Sequence, residues 1–308
     1  MRNAFAEEIT SLGIADSRIV LLSGDIGNKL FDRFKAHNES RFYNCGVAEA
    51  NMMSMAAGLG LSGLRPVVYT ITPFTTTRCY EQIRVDVCYH RAPVVIVGTG
   101  AGLSYAELGP THHSCEDLAI LRLLPEMTVL APCDAVELRL ALRAALRQDG
   151  PVYMRIGKKG EPILHATEPD FAIGRAITLR NGADLCLIAT GTIMSVVLAA
   201  ADRLAAAGLS VRVESFPTVK PLDRSRLDEV FASFPLLGVV EEHGLAGGLG
   251  GSIAEWLARR ADFKGRLVTF GTPDEFMHEV GSQDYARQRF GLSSENIAAT
   301  MLRHWRAR

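Results

Sequence analysis

Little in this sequence points to a charged macromolecular partner. Lysine plus arginine number 33 and aspartate plus glutamate 34, a formal net charge of -1. Without an excess of one sign, neither nucleic acid nor an anionic membrane is the main partner. No Cys-x-x-Cys pair occurs. The cysteines stand at 45, 79, 88, 115, 133 and 186, scattered through apolar segments. That argues against a zinc site or a disulfide framework and for reduced thiols in a cytoplasmic protein. No apolar run is long enough for a membrane helix. The longest uncharged stretch, Leu185–Ala201, falls short of the ~20 residues required. Thr190-Gly191-Thr192 interrupts it, so it reads as a strand, a turn and a helix. The N-terminus turns acidic at Glu7-Glu8 before an apolar core develops, unlike a secretory signal.

What is present is an ordinary globular composition, 48% hydrophobic and 22% charged, which excludes disordered and fibrous classes. At roughly 100–200 residues per domain, a chain of 308 residues suggests two domains. Nearly continuous hydrophobic runs predict buried strands at Arg18–Ser23, Val67–Ile71, Val94–Gly98, Thr128–Ala131 and Val152–Ile156. Helical patterns fall around Val47–Leu61, Thr76–Tyr89 and Ala135–Arg147. The alternation predicts a parallel sheet covered on both faces. A polar stretch from Gly157 to about Ala183 reads as a linker. A second set follows, with strands Leu185–Thr190, Val211–Phe216, Leu237–Glu241 and Arg266–Phe270. Its helices lie around Ile193–Ala207, Gly250–Arg260 and Ser293–Trp305. The fold class is therefore α/β with two doubly wound domains. Ligands of such sheets bind outside the carboxyl ends of the strands.

Glu49 is the most informative residue. It lies in the first turn of the helical pattern Val47–Leu61, within Cys45-Gly46-Val47-Ala48-Glu49-Ala50-Asn51-Met52-Met53-Ser54-Met55-Ala56-Ala57-Gly58-Leu59, which is apolar almost all round and so predicted to be buried. By spacing alone the acid, isolated among Val, Ala and Met, either complements the helix dipole or is a carboxyl whose pKa burial raises, able to share a proton. His112-His113 with Cys115 offers a metal reading, but no second ligand cluster has recognisable spacing, and no metal site is assigned. The run Gly247-Gly248-Leu249-Gly250-Gly251 lacks the dinucleotide and P-loop spacings. Close helix packing or a subunit contact suits it better.

Several segments form a series: Gly46-Val47-Ala48-Glu49 with Ala56-Ala57-Gly58-Leu59, Ser23-Gly24-Asp25-Ile26, and Phe74 and Arg78 with Tyr80-Glu81-Gln82-Ile83-Arg84. Gly109-Pro110-Thr111-His112, Leu124-Pro125-Glu126-Met127 and Glu241-Glu242-His243 continue it. Taken together, these segments resemble the transketolase family of thiamine-diphosphate enzymes. The resemblance spans essentially the whole chain. It implies a pyrimidine-binding thiamine-diphosphate domain at 1–165 and a transketolase C-terminal-like domain at 166–308. The family's Gly-Asp-Gly…Asn motif for magnesium and diphosphate has no match. The resemblance is thus to the C-terminal subunit of a split transketolase, and Mg2+ falls to a separate N-terminal subunit in a two-plus-two complex.

The resemblance also implies roles. In this family a glutamate hydrogen-bonds the cofactor's aminopyrimidine ring nitrogen and favours the imino tautomer; Glu49 matches it. Phe74 matches the aromatic that stacks on the pyrimidine, with Arg78 at the spacing of split transketolases and Tyr80 as a weaker companion. Asp25 matches the strand-end acid near the cofactor, and Ile26 follows it. His112 matches the loop histidine that contacts substrate oxygens. Arg155 matches the phosphate-binding arginine, with Lys158 and Lys159 beyond it as either a sugar-phosphate site or a solvated face. The sequence departs from the family at Leu108, where transketolases carry an aspartate that contacts an acceptor hydroxyl. The implied reaction is transfer of a two-carbon ketol unit from a ketose donor to an aldehyde acceptor. The beta chain of a 2-oxo acid dehydrogenase, a deoxyxylulose-phosphate-synthase-like enzyme and a regulatory α/β binding module are alternatives. The Gly-Pro-Thr-His loop argues against the first, and the intact Glu49 segment against the last.

Overall fold

The computed structural model describes residues 1–27, 29–260, 263 and 265–308. Among these the strands are β1 (Ile19–Ser23), β2 (Phe42–Asn44), β3 (Arg65–Ile71), β4 (Val95–Thr99), β5 (Thr128–Leu130), β6 (Val152–Ile156), β7 (Ile177–Arg180), β8 (Leu185–Ala189), β9 (Val211–Ser215), β10 (Thr218–Lys220), β11 (Leu236–Gly244) and β12 (Arg266–Thr272). They form two sheets, ordered β10-β5-β6-β4-β3-β1-β2 and β12-β11-β8-β9-β7. All neighbours are parallel except β10 on β5 and β7 on β9. The hydrophobic runs became β1, β4, β6 and β8, buried along their whole lengths as strands covered on both faces must be.

The strands that periodicity did not reveal are β2, β7 and β10. Each has only three or four residues, too few for a pattern to register, and each closes or borders a sheet edge. The helices Arg2–Ala15, Asp32–Asn38, Asp117–Leu123, Arg224–Ser233 and Gln283–Arg289 also went unread. Between β3 and β4, the helical pattern at Thr76–Tyr89 breaks into short turns that end in the wide π geometry of Ile83–Tyr89. The helix Glu49–Leu61 buries Met52, Met53, Ala56 and Ala57. It is not covered all round, however: Asn51, Ser54, Gly58 and Leu61 are exposed. Of these only Leu61 is large and apolar.

The polar stretch after β6 is not a free linker. Asp134 Oδ2 accepts from the backbone N–H groups of Leu164 and His165 at 2.8 and 3.0 Å. His165 Nε2 lies 3.0 Å from Glu137 Oε1, while Glu137 Oε2 accepts from Cys133 N at 2.7 Å. Cys133, Glu137 and His165 are all buried and close together, and these hydrogen bonds account for their clustering as a tie between link and first sheet. Burial works against the charged form of His165, but the hydrogen bond and charge of Glu137 outweigh it and raise its pKa.

The two sheets share more than a link. β10 leaves the second half of the chain to cap the edge of the first sheet, where β5 would otherwise be bare. Leu103, Ala106 and Cys133 of the first half belong to the same apolar cluster as Leu185, Leu187 and Val213 of the second. All six cysteines are free thiols. Among the described residues no helix is long and apolar enough to cross a membrane.

Candidate active site

The carboxyl ends of β1, β3, β4 and β6 open onto one edge of the first sheet. Gly24 follows β1 directly, and a Cβ there would come 3.2 Å from Thr70 Oγ1 and 3.4 Å from Glu49 Cγ. A larger residue there would crowd Thr70 and the acid. Thr70 Oγ1 is itself buried without a hydrogen-bond partner, an unused polar group beside the start of the Glu49 helix.

Glu49 is 3% exposed but is not isolated. Arg78 Nη1 donates to its Oε2 at 3.0 Å, from a side chain that is 45% exposed. The turns after β3 fold back over the helix start and bring Arg78 there, a contact that spacing along the chain cannot reveal. The Arg78 guanidinium also lies 4.2 Å from the centroid of the half-buried Phe74 ring. The His112 ring meets Phe74 edge to face at 5.4 Å. Glu49, Arg78, Phe74 and His112 thus form one continuous cluster. His112 Nδ1 is held by Thr111 Oγ1 at 3.0 Å.

Tyr105, which sequence reasoning missed, buries its ring 6.0 Å from His112. Lys158 Nζ sits 4.4 Å above that ring while paired with Glu107. The Lys158 hydrogen bond holds the Glu107 carboxyl below its ordinary range. A lone aromatic in the uncharged stretch before Glu107 was the only signal for Tyr105. Leu108 caps the short turn Ala106–Leu108 and is exposed. Lys159 is exposed.

Asp25 sits at the rim, exposed, with a left-handed φ of 53°. Asn44 Nδ2 donates to its Oδ1 at 2.9 Å, and Asn44 Oδ1 accepts from Gly46 N at 3.0 Å. Asp25 is thereby tied to the segment that leads into Glu49.

Three expected site residues are turned elsewhere. The Ile26 side chain packs against the core of the first sheet, and Ser23 Oγ donates to its carbonyl at 2.7 Å. Tyr80 lies two residues beyond Arg78 in a helical turn, so it faces away from it. Its hydroxyl donates to Ile120 O at 2.9 Å, and its ring joins the core. Arg155 is 3% exposed. Its Nη2 donates to both Ser114 O and Glu242 O at 2.8 Å, and its Nε lies 2.9 Å from Asp117 Oδ2. Burial pulls its pKa down, but Asp117, Tyr153 and Glu242 outweigh that and hold it up. A guanidinium locked among internal acceptors is not displayed to a phosphate group.

The glycine run opens the helix Leu249–Leu257. There the N–H groups of Leu249 and Gly250 donate to the buried Glu241 carboxylate at 2.7 and 2.8 Å. The chain's own acid, not a phosphate, occupies that helix N-terminus. A groove of about 680 Å³ runs behind the His112 loop, lined by Pro110, His113 and Cys115 on one side and Leu245, Phe276 and Met277 on the other. It does not include Glu49, Phe74 or Arg78.

Two α/β units, one carrying an acid, an aromatic and an imidazole at its strand ends, define the class of protein. Residues 1–161 match the family model described as transketolase, pyrimidine binding domain, and residues 174–297 match transketolase, C-terminal domain. The chain belongs to the transketolase family. It is 34% identical to a 6-deoxy-6-sulfo-D-fructose transketolase subunit of Clostridium sp. (strain MSTE9), over 96% of this chain and 92% of that one. It is 32% identical to an apulose-4-phosphate transketolase subunit of Phocaeicola vulgatus, over 98% of this chain and 96% of that one. A solved structure described as a split gene transketolase, inactive beta4 tetramer, superposes with a TM-score of 0.90 at 33% identity, covering 99% of this chain and 97% of that one. Members of the family use thiamine diphosphate.

Proposed function

We propose that this chain is the pyrimidine-binding, C-terminal subunit of a thiamine-diphosphate-dependent transketolase, joined near residue 165 and working in the cytoplasm. With a separate N-terminal subunit that holds Mg2+ and the diphosphate, it transfers a two-carbon ketol unit from a ketose donor to an aldehyde acceptor. The observation that carries this reading is the buried Glu49 carboxylate at a helix start, two contacts from the aromatic ring of Phe74 in the turn after β3.

The residues present fit an aminopyrimidine. Glu49 offers an acid for a ring nitrogen, Phe74 a flat face, and Thr70 an unpartnered hydroxyl beside Gly24. Bound there, thiamine diphosphate supplies the nucleophilic carbon and electron sink needed to break a carbon–carbon bond beside a carbonyl. Glu49 holds and shares a proton with the ring nitrogen, a task suited to an acid shielded from water. To do so its Oε2 exchanges Arg78 for the ligand. The guanidinium, 45% exposed, is cheaply rehydrated when it lets go. His112, with Nδ1 held by Thr111, uses its other nitrogen to hold or move a proton on a substrate oxygen. Asp25 borders the same rim.

Leu108 sets the acceptor. An alkyl side chain offers no hydrogen bond, so an acceptor deoxygenated or otherwise modified at the facing carbon suits it better than an ordinary aldose phosphate. The exposed Val47, Leu61 and Tyr89 are large apolar groups of the kind that subunit contacts cover, in line with a two-plus-two assembly.

The test is reconstitution. The chain is mixed with candidate N-terminal subunits, thiamine diphosphate and magnesium, and ketose donors are screened against aldehydes. Transfer that requires both chains supports the reading. Tight, magnesium-dependent cofactor binding by this chain alone contradicts it.

A further inference from the structure

The run Glu241-Glu242-His243 ends β11, far along the chain from Glu49, and the site as described leaves it unused. Glu241 serves its own sheet by capping the following helix. Glu242 and His243 instead reach the first sheet. The Glu242 carboxylate, 3% exposed, accepts from Leu103 N through Oε1 at 2.7 Å. Its backbone carbonyl accepts from Arg155 Nη2, the group that also holds Ser114 O. Gly244 N donates to Cys115 O at 2.7 Å. His243 Nε2 accepts from Ala119 N at 3.2 Å while Nδ1 faces Gly244 O at 2.9 Å.

Leu103 and Ser114 are the two feet of the loop that carries Leu108 and His112. Gly102 and Ser114 close that loop with paired backbone hydrogen bonds of 3.0 and 2.9 Å. Gly102 holds a φ of +60°, and a Cβ there would fall 2.7 Å from Glu242 O; the crossing is built for close approach. Behind the loop, Glu242 Oε2 is held by Arg287 Nη2 at 2.8 Å, and Gln283 Nε2 donates to Oε1 at 2.8 Å.

We propose that Glu242 is a positioning residue: from the second sheet it clamps both feet of the loop Leu103–Ser114, by its carboxylate at one and by its carbonyl, through Arg155, at the other. The second unit is then part of the scaffold that aims His112 and Leu108. The consequence for substrates rests on the functional reading above; the clamp itself does not. Arg155 thereby gains an account as the strut between Ser114 and Glu242.

Hydrogen exchange on the full chain tests the clamp without any activity. In Glu242→Ala the amides of 103–114 exchange at least about tenfold faster than in the wild type, and by more than those of β8 do. Glu242→Gln, which keeps an acceptor for Leu103 N, restores most of the protection. If Glu242→Ala does not fold, the wild type under mild denaturant decides: the Leu103 amide opens together with β11. Opening together with β4 and β6, or unchanged loop exchange in Glu242→Ala, overturns the proposal. In the reconstituted enzyme Glu242→Ala raises the KM for both sugars about tenfold while thiamine-diphosphate affinity stays within about twofold. An equal loss of cofactor affinity overturns it. Loop exchange governed by Glu242 in a chain that transfers no ketol unit breaks the functional reading and leaves the clamp standing.

Discussion

Glu49 and Glu242 are the same residue in two different situations. Each is 3% exposed and each is paired with an arginine. At the rim of the first sheet, Arg78 is 45% exposed and gives Glu49 a single contact, at Oε2. At the join between the sheets, Arg287 is 11% exposed, and Glu242 is also held by Gln283 and Leu103 N. The first pair can be opened when a ligand takes the place of Arg78 on the buried acid, because water replaces what Arg78 loses. The second cannot, because separating it strands a charge in the interior. Burial of the acid alone does not tell a reactive carboxylate from a structural one; the exposure of its partner does.

The sharpest way to break the comparison is at the acids' functions. Glu49→Ala or Glu49→Gln is expected to cut turnover of the reconstituted enzyme by about 10²–10⁴-fold, the loss typical of removing an acid–base group, with the melting temperature nearly unchanged. Exchange of the cofactor's thiazolium proton with deuterium, followed by NMR, reads the same residue; exchange that stays fast in Glu49→Ala would remove Glu49 from its role.

The partners give the next largest contrast. Arg287→Ala should cost about 3–5 kcal/mol by leaving Glu242 buried without its countercharge. Arg78→Ala should cost less, because Arg78 lies at the surface and its removal lets water reach the Glu49 carboxylate. Denaturant midpoints compare the two; equal losses would erase the distinction drawn between them.

At the rim, Leu108→Asp is expected to shift specificity toward an aldehyde hydroxylated at the facing carbon by about one to two orders of magnitude, the effect of pairing a hydroxyl otherwise buried without a partner. The ratio of kcat/KM for a 2-hydroxy aldehyde and its 2-deoxy analogue, in both proteins, measures this. A wild type that already strongly prefers the hydroxylated substrate defeats the assignment of position 108.

The smallest effect concerns the second tie at the join. Folding raises the pKa of His165 above its ordinary value, so the folded chain binds this proton more tightly than the unfolded one. The stabilisation is complete below the unfolded pKa of about 6.5 and is lost as pH rises through the higher folded value. His165→Gln should therefore destabilise the protein more at pH 6 than at pH 9. Thermal melts of both proteins across that range are the check, and a pH-independent difference would mean that His165 acts through neutral hydrogen bonds alone.

Strand content and the two-unit plan were legible because central parallel strands must be apolar on both faces, as β1, β4, β6 and β8 are. Glu49 stood out for a related reason: a single acid in an apolar helix start is conspicuous in one dimension. Phe74 and His112 drew attention as motif residues, and the fold brought them together with Glu49. Tertiary structure alone decided the rest. Arg155 became an internal strut, Tyr80 turned to Ile120, and Ile26 joined the core, because which way a side chain points depends on neighbours distant in sequence. β10 crossed to the first sheet, and Glu242 met a loop 139 residues away. A local pattern records which faces of an element are apolar. It carries no record of which element will lie against them, and that choice determined which of two equally buried glutamates is free to exchange its partner.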